Sequence, residues 1–470
     1  MKEEELDMFH IKAVISPSFK EAVALVGLVV ALISISIIGF EAAPHLPILL
    51  SILLLICYGL IKKVPYRELE RGLTEGAGAG MSAVFLFFFI GVLISSWIMS
   101  GTIPTLIYAG FNLVTPLFFF AIVFIITSII GLSIGSSLTT VATVGVAFIG
   151  IASALDLSLA ITAGAIVSGA FFGDKMSPLS DTTNLASSIV GVDLFEHIRN
   201  MGWTTIPAFV LTLIFFGLLS PNVTLADTAT INLFKEGLLE TGLIHWYALI
   251  PLVVLIVSTL AKVPALMTLA ISSIAAIAIS LFHQAYRLSD MLGILFGGYV
   301  SKTGVEQIDR LLSRGGMESM FFTIALVLLA LSMGGLLFKL GIVQCLLEKV
   351  ESLLKKVSSV IAASALTAIG INILIGEQYL SILLTGQAFQ GHYEKLGLAG
   401  KNLSRVMEDA GTVVNPLVPW SVCGIFIASV LGVSTLAYLP FAFFCLLSPI
   451  LTVLFGITGK TLTYNKNVSG

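Results

Sequence analysis

The sequence predicts an all-α polytopic membrane protein made of two repeats with opposite membrane orientation. Three observations predict it. Of 470 residues, 57% are hydrophobic and only 11% are charged, against about 25% charged in a soluble domain. Runs such as 22–40, 116–131 and 317–337 carry no fixed charge apart from Glu318, and a helix needs about 20 such residues to cross a ~30 Å hydrocarbon layer. Landmarks of the first half also recur in the second half, in the same order.

The elements follow from the apolar runs and their breaks. Segment 1–21 is charged, has no cleavable signal pattern and is expected in the cytoplasm. The first repeat, 22–219, holds runs at 22–40, 46–61, 78–99, 116–134, 135–154, 158–172, 183–192 and 200–219. A polar linker, 220–244, follows with Asp227, Glu236 and Glu240. The second repeat, 245–456, holds runs at 245–261, 264–282, 317–338, 357–375, 376–392, 397–407, 419–433 and 437–456, before a tail at 457–470. Lys62, Lys63, Arg67 and Arg71 cluster after the second run, which makes that loop cytoplasmic. The linker then falls outside, and Lys262, Lys349, Lys355 and Lys356 fall inside.

The repeat is read from four matches. Ile134-Gly135 is followed by Gly145, as Ile375-Gly376 is followed by Gly386. Pro116 and Val357 open the preceding runs at equal distances from those glycines. Ser177-Pro178-Leu179 matches Asn415-Pro416-Leu417, and Ala186-Ser187 matches Ala428-Ser429. Each half is expected to hold about five crossings plus a broken helix. The pairs 116–154 and 357–392 are interrupted by Ser136, Ser137 and Thr139 in one half and by Glu377 and Gln378 in the other. Each pair fits either two full crossings or one re-entrant hairpin. Inverted repeats of this kind build secondary transporters, with the binding site at the midplane.

The chemistry concentrates in Gly173-Asp174-Lys175-Met176-Ser177-Pro178-Leu179-Ser180-Asp181-Thr182-Thr183-Asn184. Two short apolar runs flank it, so it reads as the break of a discontinuous helix. Pro178 removes a backbone donor, and unpaired backbone at membrane depth is tolerated where it lines a cavity or is buried in protein. Two aspartates and a lysine in that position are costly and point to function. Carboxylates, hydroxyls and freed carbonyls are hard oxygen ligands suited to Na⁺, and a carboxylate can take a proton instead. Asp174, Asp181 and Glu377 are therefore the candidate Na⁺ ligands. The bland alternatives are an Asp174–Lys175 ion pair and an ordinary helix cap at Asp181. The second half repeats the device with Glu408-Asp409-Ala410-Gly411-Thr412 and Asn415-Pro416. Asp409, Thr412 and Asn415 join the candidate site, with pairing of Glu408 or Asp409 to Lys401 or Arg405 as the alternative. Lys339 reads as an interface lysine.

Several classes are excluded. A net charge of -3 with no basic stripe argues against nucleic acid. His-Glu-x-x-His and Gly-rich phosphate motifs are absent, and Phe171-Phe172-Gly173 precedes Asp174 where an intramembrane aspartyl protease has Gly-x-Gly. The chain is thus not read as an enzyme, and no cofactor is implied. Cys57, Cys345, Cys423 and Cys445 lie in apolar runs without metal or disulfide spacing. A channel is the other alternative, but central titratable groups favour coupled exchange.

The run Gly173 to Ala186, Gly-Asp-Lys-Met-Ser-Pro-Leu-Ser-Asp-Thr-Thr-Asn-Leu-Ala, resembles the signature of the NhaC family of sodium/proton antiporters. That family includes sodium-dependent malate/lactate antiporters. Length, the Glu-Asp-Ala-Gly element and the broken segments extend the resemblance over the whole chain. It implies a multi-pass protein of the bacterial cell membrane, with Asp174, Asp181, Thr182 and Asn184 on the family motif. A more distant resemblance, to the ion-transporter superfamily of carboxylate carriers, implies an elevator motion and a homodimer. The expected activity is Na⁺/H⁺ antiport. The alternative is exchange of malate and lactate coupled to Na⁺ and H⁺, with Lys175, Asn184, Ser136, Ser137 and Thr139 as donors to an organic carboxylate.

Overall fold

A computed structural model describes residues 11–40, 42–113, 118–220, 235–282, 286–351 and 356–465. Most of the expected linker, 221–234, lies outside the described residues, as do 1–10 and 466–470. Helices dominate the described chain; the β pairing recorded is one antiparallel bridge, Leu398 to Tyr464.

In chain order the first half gives α1 (Phe19–Gly39), α2 (His45–Ile61), α3 (Tyr66–Ala79), α4 (Met81–Met99), α5 (Thr102–Leu113) and α6 (Phe119–Ile134). It continues with α7 (Ser137–Ala154), α8 (Leu159–Met176), α9 (Asp181–Ile189) and α10 (Leu194–Leu219). The second half gives α11 (Trp246–Leu260), α12 (Ala265–Ser280), α13 (Leu288–Gly297), α14 (Glu306–Leu312), α15 (Met317–Lys339) and α16 (Ile342–Glu351). Then come α17 (Val357–Ile375), α18 (Gln378–Lys395), α19 (Gly400–Leu417), α20 (Val422–Leu431), α21 (Thr435–Phe441) and α22 (Phe443–Thr458). Among the described residues seven helices are long and apolar enough to cross a membrane, or up to nine if each bent pair is one span. The bent pairs are α19 with α20, at 45°, and α21 with α22, at 58°. With Leu28, Ile38, Trp203, Val253 and Val257 among the exposed apolar side chains, this is the surface of a polytopic membrane protein.

Boundaries differ from the sequence reading where polar residues continue a helix. The run 158–172 extends through Asp174 and Lys175 as the last turn of α8, an 18-residue helix long enough to span on its own. The reason is that residues 173–176 keep their amides. The backbone opens only at Ser177, with φ -83 and ψ 130, where Pro178 follows. The stretch after 282, left without a run, contains the short helix α13. Lys339 is buried against protein at the end of α15, with its Nζ 2.9 Å from Glu68 Oε2.

Small residues set the central packing. α6 and α8 approach so closely that a Cβ on Gly173 would stand 2.4 Å from the Leu132 nitrogen and 2.6 Å from the Ser128 oxygen. This clamps the C-terminal end of α8 onto α6, as small residues do at close helix crossings. α7 is enclosed by its neighbours almost along its length. α9, α17, α18 and α19 share a second apolar cluster around Ile382, Phe389 and Met407.

Candidate functional site

Two helix junctions share one local design. α6 ends on Gly135 (φ 69) and α17 on Gly376 (φ 77), both left-handed, a conformation that glycine adopts without strain. The next residue is extended and caps the following helix with its side chain. Ser136 accepts from the Thr139 N–H at the start of α7, and Glu377 accepts from the Leu380 N–H, 2.8 Å away, at the start of α18. In both places a helix starts anew, and its N-terminus presents N–H groups without helical partners.

The break after α8 comes to the first of these N-termini. Asp174, 5% exposed, accepts from the Ser137 N–H at 3.1 Å, so a buried carboxyl meets the positive end of α7. Side chains tie the break shut on its other side. Thr183 Oγ1 donates to the Lys175 carbonyl at 3.0 Å. The Asn184 amide donates to the carbonyls of Pro178 at 3.1 Å and Ser180 at 2.7 Å. Ser180 caps α9; Asp181 is its first residue, one place on from the cap position considered for it, and is exposed to the cavity.

Asp174, Ser137, Pro178, Asp181 and Asn184 from this arrangement line a cavity of about 340 Å³. Of the expected site residues, Ser136, Ser137, Thr139, Asp174, Asp181, Thr182, Asn184 and Gln378 are on its wall. The second half also contributes Tyr379 and the α11–α12 turn with Thr259, Lys262 and Thr268. Carboxylates, hydroxyls and the carbonyls of the break can together replace the waters of a small cation.

Lys175, Asp409, Thr412, Asn415 and Glu377 are not on that wall. Consecutive helical residues point about 100° apart, so with Asp174 toward the cavity Lys175 turns the other way. It forms an ion pair with Asp409, both side chains having no exposure. Asp409 also accepts from Thr204 at 3.2 Å and Thr452 at 2.7 Å. Neither alternative pairing occurs: Lys401 pairs with Glu196 at 2.7 Å, and Arg405 donates to Thr461. Glu377 is the α18 cap, beside the cavity-lining Gln378. Asn415 holds the second break, donating to Asn372 Oδ1 at 2.7 Å and accepting from the Cys423 N–H at 3.0 Å. Thr412 is buried, with its hydroxyl beside the Glu408 carboxyl.

Sequence reasoning missed Lys262, Tyr379 and Asn372. Asn372 is buried inside α17 and donates to the Gly411 carbonyl at 2.6 Å; an amide in an apolar run was a usable signal. Lys262, left-handed at φ 59, carried no such signal beyond its charge.

A profile of the Na+/H+ antiporter family matches residues 169–460. The chain is 41% identical over 436 residues to the Na(+)/H(+) antiporter NhaC of Alkalihalophilus pseudofirmus, covering 93% of this chain and 94% of the relative. It is 37% identical over 449 residues to the NhaC antiporter of Bacillus subtilis (94% and 98%). It is 34% identical over 456 residues to the malate-2H(+)/Na(+)-lactate antiporter of Bacillus subtilis (96% and 97%).

Proposed function

The chain belongs to the Na+/H+ antiporter family, and from that premise we propose that it exchanges Na⁺ for H⁺ at the cavity between α7, α8 and α9. It is a secondary antiporter of the membrane. The observation that carries the finer reading is Asp174, a buried carboxyl at a helix break, held by the Ser137 N–H and sharing its cavity with Asp181. Asp174 and Asp181 bind Na⁺ with the hydroxyls around them, and the protein takes up a proton as that Na⁺ leaves. The transported ions need no cofactor.

The two halves act as inverted repeats joined at 220–244, with the N-terminus cytoplasmic and two copies forming the assembly. The paired Gly135–Ser136 and Gly376–Glu377 junctions support the repeat. Lys175 and Asp409 hold the two breaks together behind the cavity rather than contacting the ion.

A second reading, exchange of malate and lactate coupled to Na⁺ and H⁺, draws support from Lys262. Lys262 lines the cavity together with Ser136 and Ser137 at the α7 N-terminus, and a lysine beside a helix N-terminus can bind an organic carboxylate.

The test is proton movement in proteoliposomes loaded with a pH dye, under a Na⁺ gradient alone and then with malate outside and lactate inside. Movement with Na⁺ alone establishes plain antiport; movement only with both acids establishes the second reading. Asp174→Asn removes a charge-assisted contact. It is expected to raise the apparent Na⁺ constant at least about tenfold. Unchanged Na⁺ dependence in both Asp174→Asn and Asp181→Asn would falsify the assignment.

A further inference from the structure

Within α19 the turn Met407–Thr412 widens to π-helical spacing and carries two consecutive acids, Glu408 and Asp409, both fully buried. Wide turns of this kind recur at functional sites. The two acids have opposite fates. Asp409 is matched by Lys175, Thr204 and Thr452. Neither Glu408 carboxyl oxygen makes a hydrogen bond of full geometry, and the side-chain donor beside it is the neutral hydroxyl of Thr412, four residues on, which has no other partner. Buried polar atoms left unpaired in a folded protein call for an explanation in function or in a bound water or ion.

The surroundings narrow the explanation. The charged groups facing Glu408 are Lys175, Asp174 and Asp409, and the one cation among them is already committed to Asp409. Of the helices packed on this turn, α17 and α22 carry no acidic or basic side chain. α18 has His392, Glu394 and Lys395 in its last turn, and α9 brings Asp181. A second buried anion with one neutral hydroxyl beside it and no cation of its own is costly to hold, whereas a protonated carboxyl carries its own donor and no charge. Glu408 is also absent from the cavity wall.

We propose that Glu408 is the proton carrier of the exchange, at a site separate from the Asp174–Asp181 cavity and linked to it electrostatically through Asp174 and Lys175. When Na⁺ enters beside Asp174, the Glu408 O–H bond breaks and its proton leaves to water. When Na⁺ departs, water returns a proton to the carboxylate. One positive charge enters as the other leaves, so the buried cluster keeps its net charge. This inference rests on the reading of the chain as a proton-coupled antiporter.

The experiment compares full-length wild type, Glu408→Gln and Glu408→Asp in proteoliposomes, with and without malate and lactate. One measurement is Na⁺-driven proton movement, and another is exchange of radiolabelled Na⁺ for Na⁺. A third is the infrared carbonyl stretch of a protonated carboxyl at neutral pH. In Glu408→Gln, proton movement is expected to fall to the level of protein-free liposomes, Na⁺/Na⁺ exchange to persist, and the infrared band to vanish; Glu408→Asp restores part of the proton movement. Wild-type proton movement in Glu408→Gln overturns the proposal, and so does loss of both transport modes with the infrared band intact. Wild type that moves no protons under any condition instead overturns the antiport reading itself.

Discussion

Lys175→Met isolates the energetic role of the ion pair behind the cavity. Asp409 has three donors, the Lys175 ammonium and the hydroxyls of Thr204 at 3.2 Å and Thr452 at 2.7 Å, and no exposure. Removing the ammonium leaves two neutral donors on a buried anion. Breaking a buried pair from one side costs about 3–5 kcal/mol, and the ammonium's position 5.7 Å from the Phe444 ring centroid adds about 0.5–2 kcal/mol. Replacing both partners removes the uncompensated charge. Lys175→Met with Asp409→Asn is therefore expected to be more stable than Lys175→Met alone, by about 1–3 kcal/mol of coupling. The assay is equilibrium unfolding in mixed micelles followed by tryptophan fluorescence. A cost below about 1 kcal/mol for the single variant, or a double variant less stable than Lys175→Met, would refute the reasoning. The double variant also separates roles: transport recovered along with stability means the pair is structural.

Two further outcomes are expected. Gly173→Ala places a methyl 2.4 Å from the Leu132 nitrogen, which should cost about 1–3 kcal/mol in the same unfolding assay. Gly202→Ala, whose nearest neighbour would be Ile206 Cδ1 at 3.6 Å, should be close to neutral and serves as the control. In the loop before α15, the Thr303 and Gly304 N–H groups and the Ser301 and Thr303 hydroxyls hold the Asp309 carboxyl down, to about 2 from 3.8. A depressed folded-state value contributes order that is full above the unfolded value and fades as pH falls through the folded one. Protection of 298–316 from protease should thus decline between about pH 4 and pH 2, and Asp309→Asn should remove that pH-dependent step while loosening the loop at neutral pH.

Composition and local pattern determined a good deal by themselves. The shortage of charge required a bilayer, and uninterrupted apolar runs required helices, because only segments that satisfy their own backbone survive in hydrocarbon. The breaks were also legible, since Pro178, Pro416, Gly135 and Gly376 act on their own backbone and need no distant partner. That Asp174 and Asp181 line one cavity was foreshadowed by their closeness in sequence. Which acids line the cavity was decided only by the tertiary structure. Asp174 and Lys175 are neighbours in the chain, yet one turns to the cavity and the other reaches a partner 234 residues away. Asp409 and Glu408 are likewise neighbours, one paired with a cation and one without. An angular step of about 100° per residue separates such neighbours, and the packing of α6, α8 and α19 sets which direction holds a cavity, a cation or neither. That packing depends on contacts spread over the whole chain, and no local stretch of sequence contains it.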